Sequence, residues 1–447
     1  MARGDCQIVQ AGLGGSRNHS LHRGSPIRLS LVAGAGNSGV KLLLAKDVAE
    51  PPKVAVTTQG AIYSAGLFSN SMSDVASVVL PLWLASMGVS TAVIGLVVGA
   101  KHLLPLLFAI HGGSLIDRLG ARRVMLACAA ISIVVLPLFP IYPWVPLILL
   151  LQMINGLVSS MCWMVAQASF GRVLHGHPVY AGPFAFSLRM GSFIGPPLAG
   201  LAWDVYGVWG GFGVLTLWAL GMLVSGLALP RSDDPVLVHK IEIADLAPRM
   251  SDYRAAFALA LVPAMFLVLI ISVFRIAASS IQDSFYPVYL TSIGLSGAQI
   301  GLLITLSSAV AAASALSVGR ATQIVDPLWL LIVMSIGSIV AIGITPLFTS
   351  IFMLGIIAVV RGFCMGLSQP LMLSLLVGAA ERNAQGLGVA LRTTANRAAA
   401  AITPMTMGVV AALFGLQASF LVVGGALLAG MALVVVYVRR TAIDREA

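Results

Sequence analysis

Residues 81–96 read PLWLASMGVSTAVIGL, and residues 287–302 read PVYLTSIGLSGAQIGL. At an offset of 206, nine of the sixteen positions are identical, including Pro81/Pro287, Gly88/Gly294, Ser90/Ser296 and Gly95/Gly301. The register holds to Gly113/Gly319 and Gly156/Gly362, so the repeat is half the chain long. A helix crossing a ~30 Å hydrocarbon core needs about 20 mostly apolar residues. Around the first copy such stretches fall at 60–87, 91–112, 123–140, 144–170, 179–203 and 209–230. Around the second they fall at 259–291, 297–318, 327–346, 350–378, 386–412 and 416–438. These are too long and too uniformly apolar for the alternating ~10-residue strands of a membrane barrel. Six spans per copy is an even number, so the two repeats lie parallel, one of the main transporter architectures. The expected fold is an all-α polytopic membrane protein of twelve transmembrane helices.

Composition agrees. Of 447 residues, 58% are hydrophobic and 9% charged, with a mean hydropathy of +0.97. A soluble domain carries roughly 25% charged residues, so this chain cannot cover a water-facing surface. The net charge of +10 does not imply nucleic acid, because a groove binder clusters its basic residues on a wet face. Cys6, Cys128, Cys162 and Cys364 show no disulfide or metal spacing, and read as small apolar fillers.

Five segments follow: a tail at 1–57, a six-helix bundle at 58–230, a linker at 231–257, a second bundle at 258–438 and a tail at 439–447. The linker holds RSDDPVLVHKIEIADLAPRMSDYRA (231–255), the richest charged stretch. Residues 1–55 mix Gly, Ser and Arg without apolar period, which fits a disordered cytoplasmic tail. Acid-free 6–46 also admits a transit peptide, and a start codon placed too early is a third reading.

Connections near 87–91, 140–144, 203–210, 291–297, 346–350 and 413–418 contain no Lys or Arg. The opposite connections and the C-terminal tail hold thirteen, among them Arg118, Arg122, Arg123, Arg172, Arg320 and Arg382. The positive-inside bias therefore places both termini in the cytoplasm, and the expected location is the plasma membrane, or the inner membrane of a bacterium.

After the second span stands Gly113-Ser-Leu115-Ile-Asp117-Arg118-Leu-Gly120-Ala-Arg122-Arg123. This resembles the loop 2–3 signature of the major facilitator superfamily, G-x-L-x-D-R-x-G-x-R/K. The resemblance implies a cytoplasmic latch built from Gly113, Asp117, Arg118, Gly120, Arg122 and Arg123, with Asp117 meeting a helix N-terminus or an arginine of the other half. Plain positive-inside anchoring by the arginines is the alternative. In the fifth span Gly182, Gly191, Gly195, Pro196 and Gly200 are similar to the antiporter pattern of the superfamily's drug–proton exporters. Small-residue helix packing explains the same glycines.

Ionisable side chains inside the bilayer cost at least ~2.5–3.5 kcal/mol each on insertion scales. Yet the spans hold Asp74, Lys101, His102, Arg189, Arg275, Asp283, Arg361, Arg392 and Arg397. A proton carrier must be a carboxylate that changes protonation state, which nominates Asp74 first and Asp283 second. Asn70 is the i,i+4 neighbour of Asp74 on one helix face. With them, Lys101, Gln152, Trp163, Arg189, Arg275, Gln282, Arg361, Arg392 and Asn396 form the expected substrate cavity; Gln152 stands where the family carries a span-4 arginine. Static helix locks, and snorkelling for Arg392 and Arg397, are the competing readings. Six intramembrane cations against two carboxylates favour a solute with an anionic group.

The expected function is proton-coupled alternating-access transport of a small organic solute, with export favoured by the span-5 pattern and proton symport of an organic anion as the rival. A channel or an intramembrane enzyme is a more distant reading. No H-E-x-x-H, G-x-S-x-G or P-loop spacing is present, so no enzyme is expected. Neither is a cofactor, and the proton gradient is the expected driving force. The expected partners are the bilayer and the solute, with no nucleic acid, and the protein a monomer.

Overall fold

The computed structural model describes residues 54–108, 116, 119–174, 178–230, 263–379 and 385–446, and those residues are helical apart from caps and short turns. The first group comprises α1 (Val56–Ser86), α2 (Thr91–Ala100), α3 (Ala121–Ile141), α4 (Val145–Val173) and α5 (Pro178–Ala228). The second comprises α6 (Pro263–Ser292), α7 (Gly297–Ala315), the short α8 (Val318–Ile324), α9 (Pro327–Gly343), α10 (Ile351–Ala379), α11 (Gln385–Phe414) and α12 (Leu416–Glu446).

Among the described residues ten helices are long and apolar enough to cross a membrane, one of them the 50-residue stretch Val179–Ala228. At 1.5 Å per residue that stretch would run about 75 Å, more than twice the hydrocarbon core. It breaks at Gly207, whose φ of 61° and ψ of −142° lie outside the helical region, so it supplies two crossings. The pair α8 and α9, bent by 116°, supplies one more, and the total is twelve.

The half-chain repeat is visible in the local structure. Gly88 and Gly294 turn the chain at φ 68° and 87°, a left-handed conformation that glycine adopts without Cβ strain. Two residues on, Ser90 and Ser296 cap α2 and α7, accepting from the amides of Val93 and Gln299. Further along, a Cβ on Gly156 would fall 1.8 Å from the carbonyl oxygen of Lys101, and one on Gly362 would fall 2.3 Å from that of Ser307. Residues 101 and 307 are themselves repeat partners. The α2–α4 crossing of one half and the α7–α10 crossing of the other are thus the same close backbone contact. Small residues at such crossings let helices approach where lipid offers no hydrophobic drive.

In the amino half, α1 packs along α5. Trp83 meets Phe139 and Phe212 edge-on, with ring centroids 6.0 and 5.2 Å away. Buried polar groups are paired across this interface, the Trp218 indole N–H donating to Ser71 Oγ at 2.8 Å and Ser225 Oγ to Ser64 Oγ at 2.9 Å.

Candidate functional site

The two halves meet along two seams related by the repeat. In one, α2 lies against α11: Thr91 Oγ1 donates to the Gly408 carbonyl at 3.3 Å, and Gly95 and Gly99 face the carbonyls of Pro404 and Ala401. In the other, α5 lies against α7: Gly301 faces the Pro196 carbonyl, Gly200 faces Gly297, and Thr305 Oγ1 donates to the Phe193 carbonyl at 3.3 Å. Both seams sit toward the end of the molecule whose connections carry no Lys or Arg. The second has a clamp that the first lacks. Both carboxylate oxygens of Asp204, in the connection after the fifth span, accept backbone N–H groups at the start of α7, from Gly297 at 2.7 Å and Ala298 at 2.8 Å. These donors have no partner within their own helix, and the helix dipole favours an anion there. At the equivalent seam the α2 N-terminus is capped, among the described residues, by its own Ser90.

Behind these seams lies a cavity of about 330 Å³, walled by α1, α2, α4, α6 and α11. Its depth follows from helix geometry. Lys101 is ten residues from the start of α2, Asp74 twelve from the end of α1 and Asp283 nine from the end of α6, or about 14–18 Å at 1.5 Å per residue. That is the middle of a ~30 Å core. The helix of the second span tightens here: the His102 amide donates to the Gly99 carbonyl, three residues back, at 3.1 Å, and Lys101 keeps helical dihedrals at φ −57° and ψ −21°.

Of the residues expected to form the site, Asn70, Asp74, Lys101, Gln152, Trp163 and Asp283 line this cavity together. Asp74 lies within the electrostatic reach of Asp283, Lys101 and Arg189, with Ser192 in hydrogen-bonding reach of its carboxylate. Asp283, exposed to the cavity, feels Lys101 and Arg361. Asn70 Nδ2 donates to Ser192 Oγ at 3.3 Å. The amino half therefore ties α1 to α5 directly beside the carboxylate.

The other expected cavity residues lie elsewhere. Arg361, 7% exposed, donates to Ser307 Oγ at 3.4 Å and borders, with Gln282 and Tyr286, a separate void of about 10 Å³ inside the carboxy half. Arg275 is 5% exposed and faces Arg392, while Asn396 Oδ1 accepts from Ser272 Oγ at 2.9 Å. These three residues belong to the α6–α11 packing. Arg189 is exposed on α5 and is not part of the cavity wall. Helix rotation decides all of these placements. An intramembrane cation turned toward its own bundle cannot also face the interface between bundles.

Several wall residues were not among those expected. His102, Asn155 and Arg397 line the cavity, with Arg397 Nη1 donating to Ser160 Oγ at 3.1 Å across the interface of the halves. Ser69, Ser73 and Ser77 also face it, as do Gln152, Asn155, Ser159 and Trp163. Their i,i+3/i+4 spacing puts each set on one helix face, a pattern readable in the sequence. Asp204 carried no such signal, since an acid in a short connection has no pattern that marks it.

Gly113, Asp117 and Arg118 of the loop 2–3 signature lie outside the described residues. Gly120 starts α3 at φ 82°. Arg122 Nη1 donates to the Leu229 carbonyl at the end of α5, at 3.2 Å, and Arg123 is exposed. In the fifth span, a Cβ on Gly191 would meet Ser71 and Leu67, one on Gly195 would meet Val75 and Trp218, and one on Gly200 would meet Gly297. Gly182 has nothing within 4 Å. Three of the four glycines are thus accounted for by close helix packing. Among the described residues no group of three or more His, Cys, Asp or Glu is placed to hold a metal ion.

The chain matches the family model of the Major Facilitator Superfamily over residues 62–277 and 268–447. A comparison with proteins of established function returned no significant match. Among solved structures, a mutant of the nucleoside transporter NupG superposes with a TM-score of 0.71 at 14% identity, covering 85% of this chain and 99% of that one. An inward-facing, occupied bacterial homolog of the human lysosomal transporter Spinster gives 0.66 at 13%, over 85% and 96%. A POT family transporter in complex with 5-aminolevulinic acid gives 0.65 at 13%, over 85% and 95%. At these identities the likeness concerns the fold, and the family match extends over nearly all the membrane-spanning chain. This chain belongs to the major facilitator superfamily of membrane transporters.

Proposed function

We propose that this protein moves a small polar organic solute by proton-coupled alternating access, through the cavity that holds Asp74, Lys101 and Asp283. One observation carries the reading. Two carboxylates and a lysine share a midplane cavity between two parallel repeats. Asp74 and Asp283 are like charges within reach of each other, so a proton and a cationic group of the solute compete for them. Competition of this kind couples solute movement one way to proton movement the other, which supports exchange and agrees with export. Lys101 of the second span faces this pair, Arg189 of α5 and Arg361 of α10 act on it from behind the wall, and Arg397 of α11 acts on the neighbouring His102.

With the Lys/Arg-rich connections on the cytoplasmic side, the seams and the Asp204 clamp lie outside. On this reading the α2–α11 and α5–α7 seams are the exterior gate, and both are closed. The loop 2–3 arginines belong to the opposite gate, and the spanning chain resides in the plasma membrane.

Proton movement during transport distinguishes exchange from symport. Weakly buffered proteoliposomes containing the purified protein are given a transported solute from outside, and external pH is followed. Exchange acidifies the medium as solute enters and protons leave. Alkalinisation establishes symport instead, and transport without any pH change removes proton coupling.

A further inference from the structure

From the wall of the cavity we infer that the transported solute is a small hydrophilic zwitterion, its cationic end held by Asp283 and its carboxylate by Arg397; the inference rests on the transport reading above. The cavity contains two formal negative charges, Asp74 and Asp283, and two positive ones, Lys101 and Arg397. The surplus of cations counted along the chain does not line it: Arg275, Arg361 and Arg392 are turned into the carboxy half and Arg189 is exposed on α5, so that Arg361 and Arg189 act on Asp283 and Asp74 only from behind the wall. A site already balanced in charge accepts a neutral or zwitterionic guest without leaving a buried charge uncompensated. A net-charged guest adds one, and that is costly away from water.

The division of labour between the halves narrows the choice. Among the described residues only Asp283 and Arg397 reach the cavity from the carboxy half, and the other wall residues come from the amino half. A solute that is passed between halves must be gripped by both. Among the described residues the carboxy half offers one anion and one cation as its grip. Asp283 is exposed to the cavity. The Arg397 guanidinium donates one bond, to Ser160, and leaves its buried Nε without a partner. Planar guanidinium groups favour carboxylates, which they bind in bidentate fashion.

The amino-half wall argues against a lipophilic guest. Ligand pockets are usually lined mostly by apolar and aromatic side chains, in volumes of ~300–1,000 Å³. This one, of about 330 Å³, presents the hydroxyls of Ser69, Ser73 and Ser77 and the amides of Gln152 and Asn155. The Oδ1 of Asn155 is buried without a partner. Ser69 and Ser77 donate to carbonyls of their own helix, but hydrocarbon over the Asn155 Oδ1 leaves it unsatisfied at a cost that a polar guest avoids.

Three four-carbon probes of equal length test the inference: 4-aminobutyrate, the dianion succinate and the dication putrescine. They are accompanied by glycine and 6-aminohexanoate as shorter and longer zwitterions, and by uncharged uridine. Labelled probes are offered to proteoliposomes under a pH gradient. The expected result is accumulation of at least one ω-amino acid, at least about tenfold faster than succinate and putrescine. Asp283→Asn and Arg397→Gln each slow that zwitterion about tenfold or more, as expected for loss of one charge-assisted bond. Arg397→Gln also raises the putrescine-to-4-aminobutyrate rate ratio, a quantity independent of how much protein folds. Transport of succinate, putrescine or uridine in preference to the amino acids overturns the zwitterion and leaves the transport reading standing. An unchanged rate ratio in Arg397→Gln overturns the assignment of the carboxylate. Failure of correctly inserted protein to move any probe overturns both readings.

Discussion

Asp204 holds the two halves together at the end that carries no Lys or Arg, and replacing it should shift the balance between open states. Its carboxylate accepts from Gly297 N at 2.7 Å and Ala298 N at 2.8 Å. Each charge-assisted bond is worth up to ~1.5–3 kcal/mol in a protected setting. An anion at a helix N-terminus adds ~0.3–1 kcal/mol. Asp204 is exposed, so water replaces much of what is lost, and a net of about 1–2 kcal/mol is reasonable for Asp204→Ala. That corresponds to a roughly 5- to 30-fold shift in the equilibrium away from the clamped state. Asp204→Asn keeps an acceptor but loses the charge, and should fall between the two. The assay is a spin-label distance measurement between Tyr206→Cys and Ser292→Cys, exposed positions on opposite halves, in a background lacking native cysteines. The wild type should populate a short distance, and Asp204→Ala should move a measurable fraction to a longer one. Identical distance distributions in the two proteins would refute the clamp.

Gly156→Ala places a Cβ 1.8 Å from the Lys101 carbonyl oxygen, so the helices must part; overpacking of this kind costs about 1–3 kcal/mol, and a lower melting temperature in detergent should report it. The repeat extends the prediction to Gly362→Ala, whose Cβ would fall 2.3 Å from Ser307 O, with a similar loss. Arg361→Met removes a cation that faces its own bundle and should change thermal stability while leaving the apparent KM for the solute within about twofold. Lys101→Met, by contrast, should slow transport with little effect on melting, because Lys101 faces the cavity; the opposite pattern in the two variants would exchange their roles.

Reading the chain alone takes the fold a long way and the site about halfway, for physical reasons. A bilayer demands ~20 apolar residues per crossing, and the biased placement of Lys and Arg orients them, so span count follows from composition along the sequence. Gly88/Gly294 and Ser90/Ser296 make the repeat legible because they perform the same turn and cap in each half. The site depends instead on which way each helix faces. Lys101 and Arg361 lie at closely similar depth in the two halves, at repeat positions 101 and 361 − 206 = 155. One lines the interface and the other is sealed inside a bundle, and nothing in the residue type separates them. Arg397 was harder still, since snorkelling and cavity lining suit the same arginine. The serine faces at 69, 73 and 77 were readable, but serine satisfies itself on its own helix, as Ser77 does on the Asp74 carbonyl at 2.7 Å, and so attracts little notice. Asp204 lies in a short connection where an acid is unremarkable until a helix start from the other half is placed against it.

Coupling through Asp74 is tested most directly by comparing two modes of transport in one variant. Wild-type and Asp74→Asn proteins, reconstituted at equal density, are assayed for accumulation of a carried probe under a pH gradient and for probe–probe exchange without one. Asp74→Asn should lose gradient-driven accumulation while retaining exchange, because the solute can still bind and cross when no proton needs to be carried. Accumulation at the wild-type level in Asp74→Asn would contradict the assignment of the proton to Asp74.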